Sequence, residues 1–536
     1  MNESLPFVAR TSDDITSQGV VALVRMIRAG ELSSREVVEA HIRRIEVVNQ
    51  SLNAIVVPLF EDAVKSASFA DEMQARGQVL GSLHGLPVTI KEMFDVSGTP
   101  TTAGLTSLAN TPASEDAPLV MQLRRAGAIV LGKTNVPQLG MFYESDNPLY
   151  GRTNNPWNFE RATGGSSGGE AAIIAAQGSP LGLGSDGGGS IRQPAHACGI
   201  CGIKPTSRRF TMRGHFPCPN WHSDWLQPGP LARSVADLRL ALRALSASEN
   251  DEADATRLPF LSTENGAPSV KSLRIGFYVD DGFFAPAPAV KRAVKAAISS
   301  LRDGGAEVEE FCPPNLEEGL RIYFSLFLAD GMAWTRRQIK GSRPDWRTRA
   351  LLWGALVPTL LHPGVKWLNE LLGQRYLARM TGWCNKRELS VAEYWQRLEE
   401  QNQYRSRFMA EFAKRNLDAI VCPANALPAF PHGTFYGNFT GSYTLLYNLL
   451  GMPAGVVPAT RVRADEESDR KSTHDAVIRT AVAVERGSAD LPIGVQVVAR
   501  HWREDIALRV MAALEEHFKI QPDFPAFPAE VDFAKK

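Results

Sequence analysis

Two glycine runs carry the side chains best placed to do chemistry. Gly164-Gly165-Ser166-Ser167-Gly168-Gly169 is followed, one apolar stretch later, by Gly184-Ser185-Asp186-Gly187-Gly188-Gly189-Ser190. Without Cβ atoms, consecutive glycines let backbone N–H groups converge in front of the Ser190 hydroxyl, the arrangement that holds a developing oxyanion. A serine hydroxyl attacks only when a base takes its proton. Two side chains could serve. His196 follows Ser190 closely, but no Asp or Glu is evidently set to orient it. Lys91 ends the apolar run Leu86-Pro87-Val88-Thr89-Ile90, which reads as a buried strand. Burial disfavours the charged amine, lowers its pKa from about 10.4 and frees a lone pair.

Other chemistries fit these segments less well. Gly165-Ser166-Ser167-Gly168-Gly169 contains G-x-S-x-G, but a nucleophile elbow must follow an apolar strand, and Asn158–Thr163 is polar. A phosphate-cradling loop wants Gly-Lys-Ser/Thr, whereas Gly169 is followed by Glu170. Cys198 and Cys201 have zinc-like spacing with no second pair, so they read as buried thiols, and no metal or cofactor is expected. Flexible linkers are equally unsuited, since both runs lie within apolar sequence.

Lys91, Ser166 and Ser190, in that order and in those contexts, resemble the amidase signature hydrolases. The resemblance extends through Thr134-Asn135-Val136-Pro137, Thr153-Asn154-Asn155-Pro156-Trp157, Cys201-Gly202-Ile203-Lys204-Pro205-Thr206 and Gly229-Pro230-Leu231-Ala232-Arg233, and covers residues 15–514. It implies that Ser190 is the nucleophile, Lys91 the base and Ser166, on a cis peptide, the bridging serine. Ser167 would support the bridge, and Asp186 with Arg192 would brace the nucleophile loop. The N–H groups of Gly187, Gly188, Gly189 and Ser190 would form the oxyanion hole. Gly187 departs from the bulkier residue usual in the family, which gives the loop added freedom. Met141, Phe142 and Tyr143 would line an acyl pocket. Tyr443–Leu450 running into Pro453–Pro458 is most similar to the fatty acid amide hydrolase-like branch.

The sequence around these residues predicts an α/β fold. Ser33-x-x-Glu36 is a capping box that opens a helix with Val37, Val38, Ile42 and Ile45 on one face. Ala54–Val57, Leu86–Ile90 and Ala128–Leu131 read as strands, the last preceded by a helix through Val120 and Leu123. The resemblance implies a mixed central sheet covered on both faces by helices. Four parts are expected: an N-terminal helical segment (1–80), the catalytic core (81–260), a mainly helical insertion (261–415) and a C-terminal part of the core (416–536). Leu258–Pro268 reads as a linker before the strand Leu273–Val279.

With 536 residues and 44% apolar content the chain can bury a large core. Lys+Arg and Asp+Glu both total 58, which gives nucleic acid no attraction. Six scattered cysteines and the absence of an apolar leader point to the cytoplasm. No stretch approaches the eighteen or so apolar residues of a membrane span. Trp346–Leu361 and Val365–Leu372 form a pair of short apolar helices with Trp and basic residues near their ends, suited to a substrate lid or to peripheral membrane contact through 350–372. An ordinary packed hairpin or a homodimer contact would use the same composition. The expected reaction is hydrolysis of a small-molecule carboxylic amide with a fatty or aryl acyl group. Carbamate, anilide and ester hydrolysis on the same residues, the amidase subunit of a transamidase, and a non-catalytic lipid-binding scaffold are the alternatives.

Overall fold

The computed structural model describes residues 11–216, 224–246, 270–354, 361–381, 383, 388–434, 440–471 and 473–528. The expected linker at Leu258–Pro268 lies outside the described residues, as do Cys218, Cys384 and residues 355–360 between the two apolar helices.

Short apolar runs such as Ile129–Leu131, Ala419–Cys422 and Ile493–Val498 are buried along their whole length, as strands covered on both faces must be. Eleven strands, the central ones of this kind, make one mixed sheet. They are β1 (Ile55–Pro58), β2 (Pro87–Lys91), β3 (Ile129–Thr134), β4 (Leu181–Asp186), β5 (Cys201–Lys204), β6 (Gln227–Ala232), β7 (Arg274–Phe277), β8 (Glu307–Glu310), β9 (Ala419–Pro423), β10 (Ala454–Arg461) and β11 (Pro492–Ala499). Their order is β1-β3-β2-β4-β6-β5-β10-β11-β9-β7-β8. The strands β3, β2 and β4 run parallel to one another, as do β9, β7 and β8; the pairs between these two groups are antiparallel. The edge strand β8 carries three glutamates, and such charge disfavours pairing with another edge.

Helices flank this sheet. Residues of α1 (Ser34–Leu52), α2 (Gly168–Ala175) and α3 (Arg192–Cys198) form one apolar cluster with Ile129, Leu131, Leu231 and Val456. The helices α4 (Pro288–Asp303) and α9 (Glu504–Lys519) belong to the larger cluster with Val457, Val495 and Val497. Helix α1 starts where the sequence predicts: Ser33 accepts the Glu36 N–H, and the Glu36 side chain takes the Ser33 N–H. It ends at Asn53, whose left-handed backbone turns the chain into β1. Three later helices matter for the site: α5 (Leu316–Phe327), the pair α6 (Trp346–Gly354) and α7 (His362–Leu371), and α8 (Ser442–Leu449).

The parallel registry of β2 and β4 sets Thr89 opposite Gly182 and Ile90 opposite Leu183, so Lys91 and the Ser185-Asp186 pair reach the same end of the sheet. Ligands of α/β sheets gather at the carboxyl ends of parallel strands. Two glycines of β4 let α2 come close. A Cβ at Gly182 would lie 2.0 Å from Glu170 Oε2, and one at Gly184 would lie 2.9 Å from Ser167 Oγ. Gly182→Ala is therefore expected to destabilise the fold by about 2 kcal/mol, as overpacking of a closed core does, seen as a lower apparent unfolding temperature. Gly364→Ala, on an α7 face with no atom within 4 Å, should leave it unchanged or raised. Equal behaviour of the two variants would refute the packing argument.

Candidate active site

The Lys91 side chain is buried at the end of β2. Its Nζ lies 2.7 Å from Ser166 Oγ, 2.9 Å from Ser185 Oγ and 3.3 Å from Ser185 O. Burial lowers its pKa to about 7, against the opposing pull of Asp186 and Glu170. Glu170, also buried, is pushed up by the same loss of solvent and accepts hydrogen bonds from Thr89 (2.6 Å) and Thr134 (2.9 Å). Both groups are driven toward their neutral forms, and for Lys91 that means a free lone pair.

Ser166 follows a cis peptide bond from Gly165. Gly165 must be small, because a Cβ there would lie 2.5 Å from Phe142 O. Ser167 joins the two glycine loops: its N–H donates to Ser190 O at 3.0 Å, its hydroxyl donates to Ser185 O at 3.2 Å, and it accepts the Ser185 N–H at 3.3 Å.

The loop carrying Ser190 is organised by Asp186. One carboxylate oxygen accepts the Gly189 N–H at 2.7 Å; the other accepts from Ile191 N at 3.2 Å. Arg192 grips both, Nε to Oδ2 at 2.9 Å and Nη2 to Oδ1 at 3.0 Å. Burial alone would raise the Asp186 pKa, but the Arg192 guanidinium, with Lys204 and the Asn448 amide, holds it well below the usual carboxylate range. Two further Arg192 donors go to Gln496 Oε1 (2.7 Å) and Asn448 Oδ1. Such fork geometry suits arginine and not lysine. On the outer side of the loop, Tyr323 of α5 donates to Gly187 O at 2.9 Å, and Tyr143 and Thr444 donate to Gly188 O.

Ser190, Ser166 and Ser185 open on one largely apolar cavity. Met141, Phe142 and Tyr143 all line it, and Tyr143 also pins the loop. Further walls come from Phe324 and Phe327 of α5 and from Leu351 of α6. Helix α6 is anchored by Arg347, buried and paired with Glu144, Asp146 (3.2 Å) and Asp345 (3.1 Å). Outward, the pair presents Trp353 (70% exposed), Trp367 (63%) and Leu371 (67%). No described helix is long and apolar enough to cross a membrane.

His196, the other candidate base, sits elsewhere. It is a buried histidine of α3 whose Nδ1 accepts the Gly494 N–H at 3.1 Å and whose Nε2 lies 3.0 Å from Leu427 O. Cys198 and Cys201 are buried, and desolvation pushes both thiols up, which leaves them inert. Sequence reasoning missed Ser185 and His215 at the lysine and Tyr323, Thr444 and Gln496 around the loop. Ser185 was detectable, since it sits beside Asp186 on the strand paired with that of Lys91; the others are brought in from distant segments with no local signal.

The Amidase family matches residues 36–508 of the chain. Fatty-acid amide hydrolase 1 of Sus scrofa is 36% identical over 523 residues, 94% of this chain and 87% of the relative. Fatty acid amide hydrolase 1 of Caenorhabditis elegans is 33% identical over 505 residues, 91% of this chain and 86% of the relative. A solved fatty acid amide hydrolase superposes with a TM-score of 0.80 at 25% identity, covering 96% of this chain and 87% of that one. The fold, the family match and relatives of this coverage together make the chain a member of the amidase signature family, hydrolases that act on amide C–N bonds.

Proposed function

We propose that the protein hydrolyses carboxylic amides with an apolar, fatty or aryl, acyl group, through an acyl-enzyme on Ser190 with Lys91 as base acting through Ser166. The observation that carries this reading is the 2.7 Å contact between the Lys91 amine and Ser166, at the floor of the cavity that also holds Ser190. With its amine neutral, Lys91 takes the Ser166 proton while Ser166 takes that of Ser190. Ser190 Oγ then bonds to the carbonyl carbon and the carbonyl π electrons move to oxygen. In this reading the oxyanion is met by the N–H groups of Gly187, Gly188 and Ser190. The Gly189 N–H is turned to Asp186 and acts instead in bracing the loop. The proton returns through Ser166 to the amine nitrogen, the C–N bond breaks, and water releases the acyl group by the same steps. Ser167, Asp186 and Arg192 hold the parts in place.

An apolar acyl group fits the walls given by Met141, Phe142, Phe324 and Phe327. Leu351 faces the cavity from the same helix that exposes Trp353 outward. In this reading the pair α6 and α7 covers the entrance and rests on a lipid surface from which the substrate enters.

Hydrolysis of a long-chain fatty amide, a short aliphatic amide, an anilide and an aryl carbamate, with Ser190→Ala as control, tests the substrate class. The fatty amide or the anilide should be preferred and Ser190→Ala should be inactive on all four; preference for the short amide or the carbamate would overturn the acyl assignment. Lys91→Ala should lower amide turnover by about 10²–10⁴-fold, and turnover of a matched ester less, because an alkoxide leaves with less help. Equal losses would remove Lys91 as the source of the leaving-group proton. Since burial brings Lys91 to about 7, activity should climb from acid pH with a midpoint in that region and then level. A profile flat across the neutral range would exclude the lysine base.

A further inference from the structure

One histidine, His215, lines the cavity among the described residues, and the reaction as proposed gives it no part. It follows Gly214, whose positive φ of 68° turns the chain inward. The ring is held edge-on against Phe94, centroids 4.7 Å apart. Its Nδ1 lies 3.1 Å from Phe216 O and its Nε2 lies 3.0 Å from Ser185 Oγ, the hydroxyl that is 2.9 Å from the Lys91 amine.

These contacts have one consistent arrangement of hydrogens. A carbonyl oxygen only accepts, so Nδ1 carries the proton and Nε2 the lone pair. Nε2 then accepts the Ser185 O–H, and Ser185 Oγ can offer Lys91 only lone pairs. A neutral amine has two N–H bonds and one lone pair. With Ser185 O and Ser185 Oγ taking the two N–H bonds, the lone pair is left for Ser166.

We propose that His215 is a positioning residue for the base: by accepting a hydrogen bond from the Ser185 hydroxyl it keeps that hydroxyl an acceptor toward Lys91 and so aims the Lys91 lone pair at Ser166. The inference rests on the reading of Lys91 as base. Burial, with Lys91 close by, lowers the His215 pKa to about 3, so the ring stays neutral and accepting throughout the working range. The other ionisable groups acting on Lys91 are Glu170 on α2 and Asp186 at the end of β4. Neither touches the Ser185 hydroxyl; His215 does.

Without an acceptor at position 215 the Ser185 hydroxyl turns and donates to the Lys91 lone pair, in competition with Ser166. Two effects follow together. The plateau rate falls, and the free amine is stabilised over the ammonium, so the acid limb of the pH profile moves to lower pH. A site merely loosened and wetted does the opposite, because hydration returns Lys91 toward its ordinary value.

The test is the pH profile of kcat and kcat/KM for the purified full chain on hexanoyl p-nitroanilide and p-nitrophenyl hexanoate. His215→Leu and His215→Phe should lower kcat on both probes by about fivefold, one hydrogen bond's worth, with little change in KM and an acid limb lower by roughly half a pH unit. His215→Gln, whose amide oxygen can accept a hydrogen bond from the Ser185 hydroxyl, should keep a near-native rate and limb. Ser185→Ala, which leaves the ring in place, should also move the limb down, and adding His215→Leu to it should cost nothing further. An unmoved or raised limb in the 215 variants, equal losses in His215→Gln and His215→Leu, or losses that multiply in the double variant would overturn the role. Should His215→Leu and His215→Phe fail to fold, His215→Gln and Ser185→Ala still decide it, since a poor His215→Gln or an unshifted Ser185→Ala is each sufficient to refute. Lys91→Ala run alongside separates the two readings: if it keeps native rate and limb, the lysine base itself falls, whereas if it is inactive and the 215 variants behave as wild type, only His215 loses its place.

Discussion

The amine of Lys91 is carried out of water by a strand, and most of the site answers to that one constraint. A buried ammonium needs acceptors and a buried amine needs donors, so the hydroxyls of Ser166 and Ser185, which can be either, are suitable neighbours. A carboxylate in direct contact would hold the proton on the lysine. The structure keeps its carboxyl groups one step away: Glu170 is occupied by Thr89 and Thr134, and Asp186 by Arg192 and the loop amides. Desolvation thus prevails over attraction, and the lysine reaches about 7.

The Asp186–Arg192 pair has the second structural task, to tie the halves of the chain together. A buried ion pair stabilises little unless every donor and acceptor is satisfied. Here satisfaction comes from far along the chain, from Asn448 on α8 and Gln496 on β11. Asn448 also donates to Asp186 O and Trp225 O, and Gln193 reaches Thr444 and Ala424. The Ser190 loop is therefore held by residues of the C-terminal half as well as by its own, which makes the geometry of Ser190 a property of the whole fold.

The fold was readable to the extent that its signals are local. β2 and the capping box at Ser33 lie where the apolar run and the S-x-x-E spacing put them, to within a residue, and β3 starts one residue later and runs three residues further than its apolar run. Lys91 stood out because a charge at the end of an apolar strand costs too much to be incidental. His215 gave no comparable sign. It lies outside any strand, and its meaning comes from a Ser185 contact that only the packed sheet creates. Tyr323 and Gln496 were hidden for the same reason: they act across more than a hundred residues of sequence, and neither periodicity nor composition encodes a pairing of that range. The pair α6 and α7 shows the reverse case, where composition alone, Trp and Leu with basic ends, already marked residues that the structure leaves exposed.

The freedom that Gly187 gives its loop is removed by contacts from distant segments. A glycine in place of a bulkier residue frees the loop at the point where the proposed oxyanion hole needs rigidity. In a planar trans peptide the C=O and the following N–H point in opposite directions, so fixing one aims the other. Tyr323 holds the Gly187 carbonyl from outside and thereby directs the Gly188 N–H. Tyr143 and Thr444 hold the Gly188 carbonyl, and the Gly189 N–H on its far side meets Asp186. Tyr323 is itself stacked on Trp225, centroids 4.7 Å apart, so its hydroxyl is presented by a ring that is already clamped. The glycines must also remain glycines under these contacts, since a Cβ at Gly188 would come within 3.0 Å of the Tyr323 hydroxyl and one at Gly189 within 2.5 Å of Thr444 Oγ1. Rigidity that a side chain at position 187 could have supplied from within the loop is supplied instead by hydroxyls from three other segments, and the loop can stay small enough to leave the cavity open in front of Ser190.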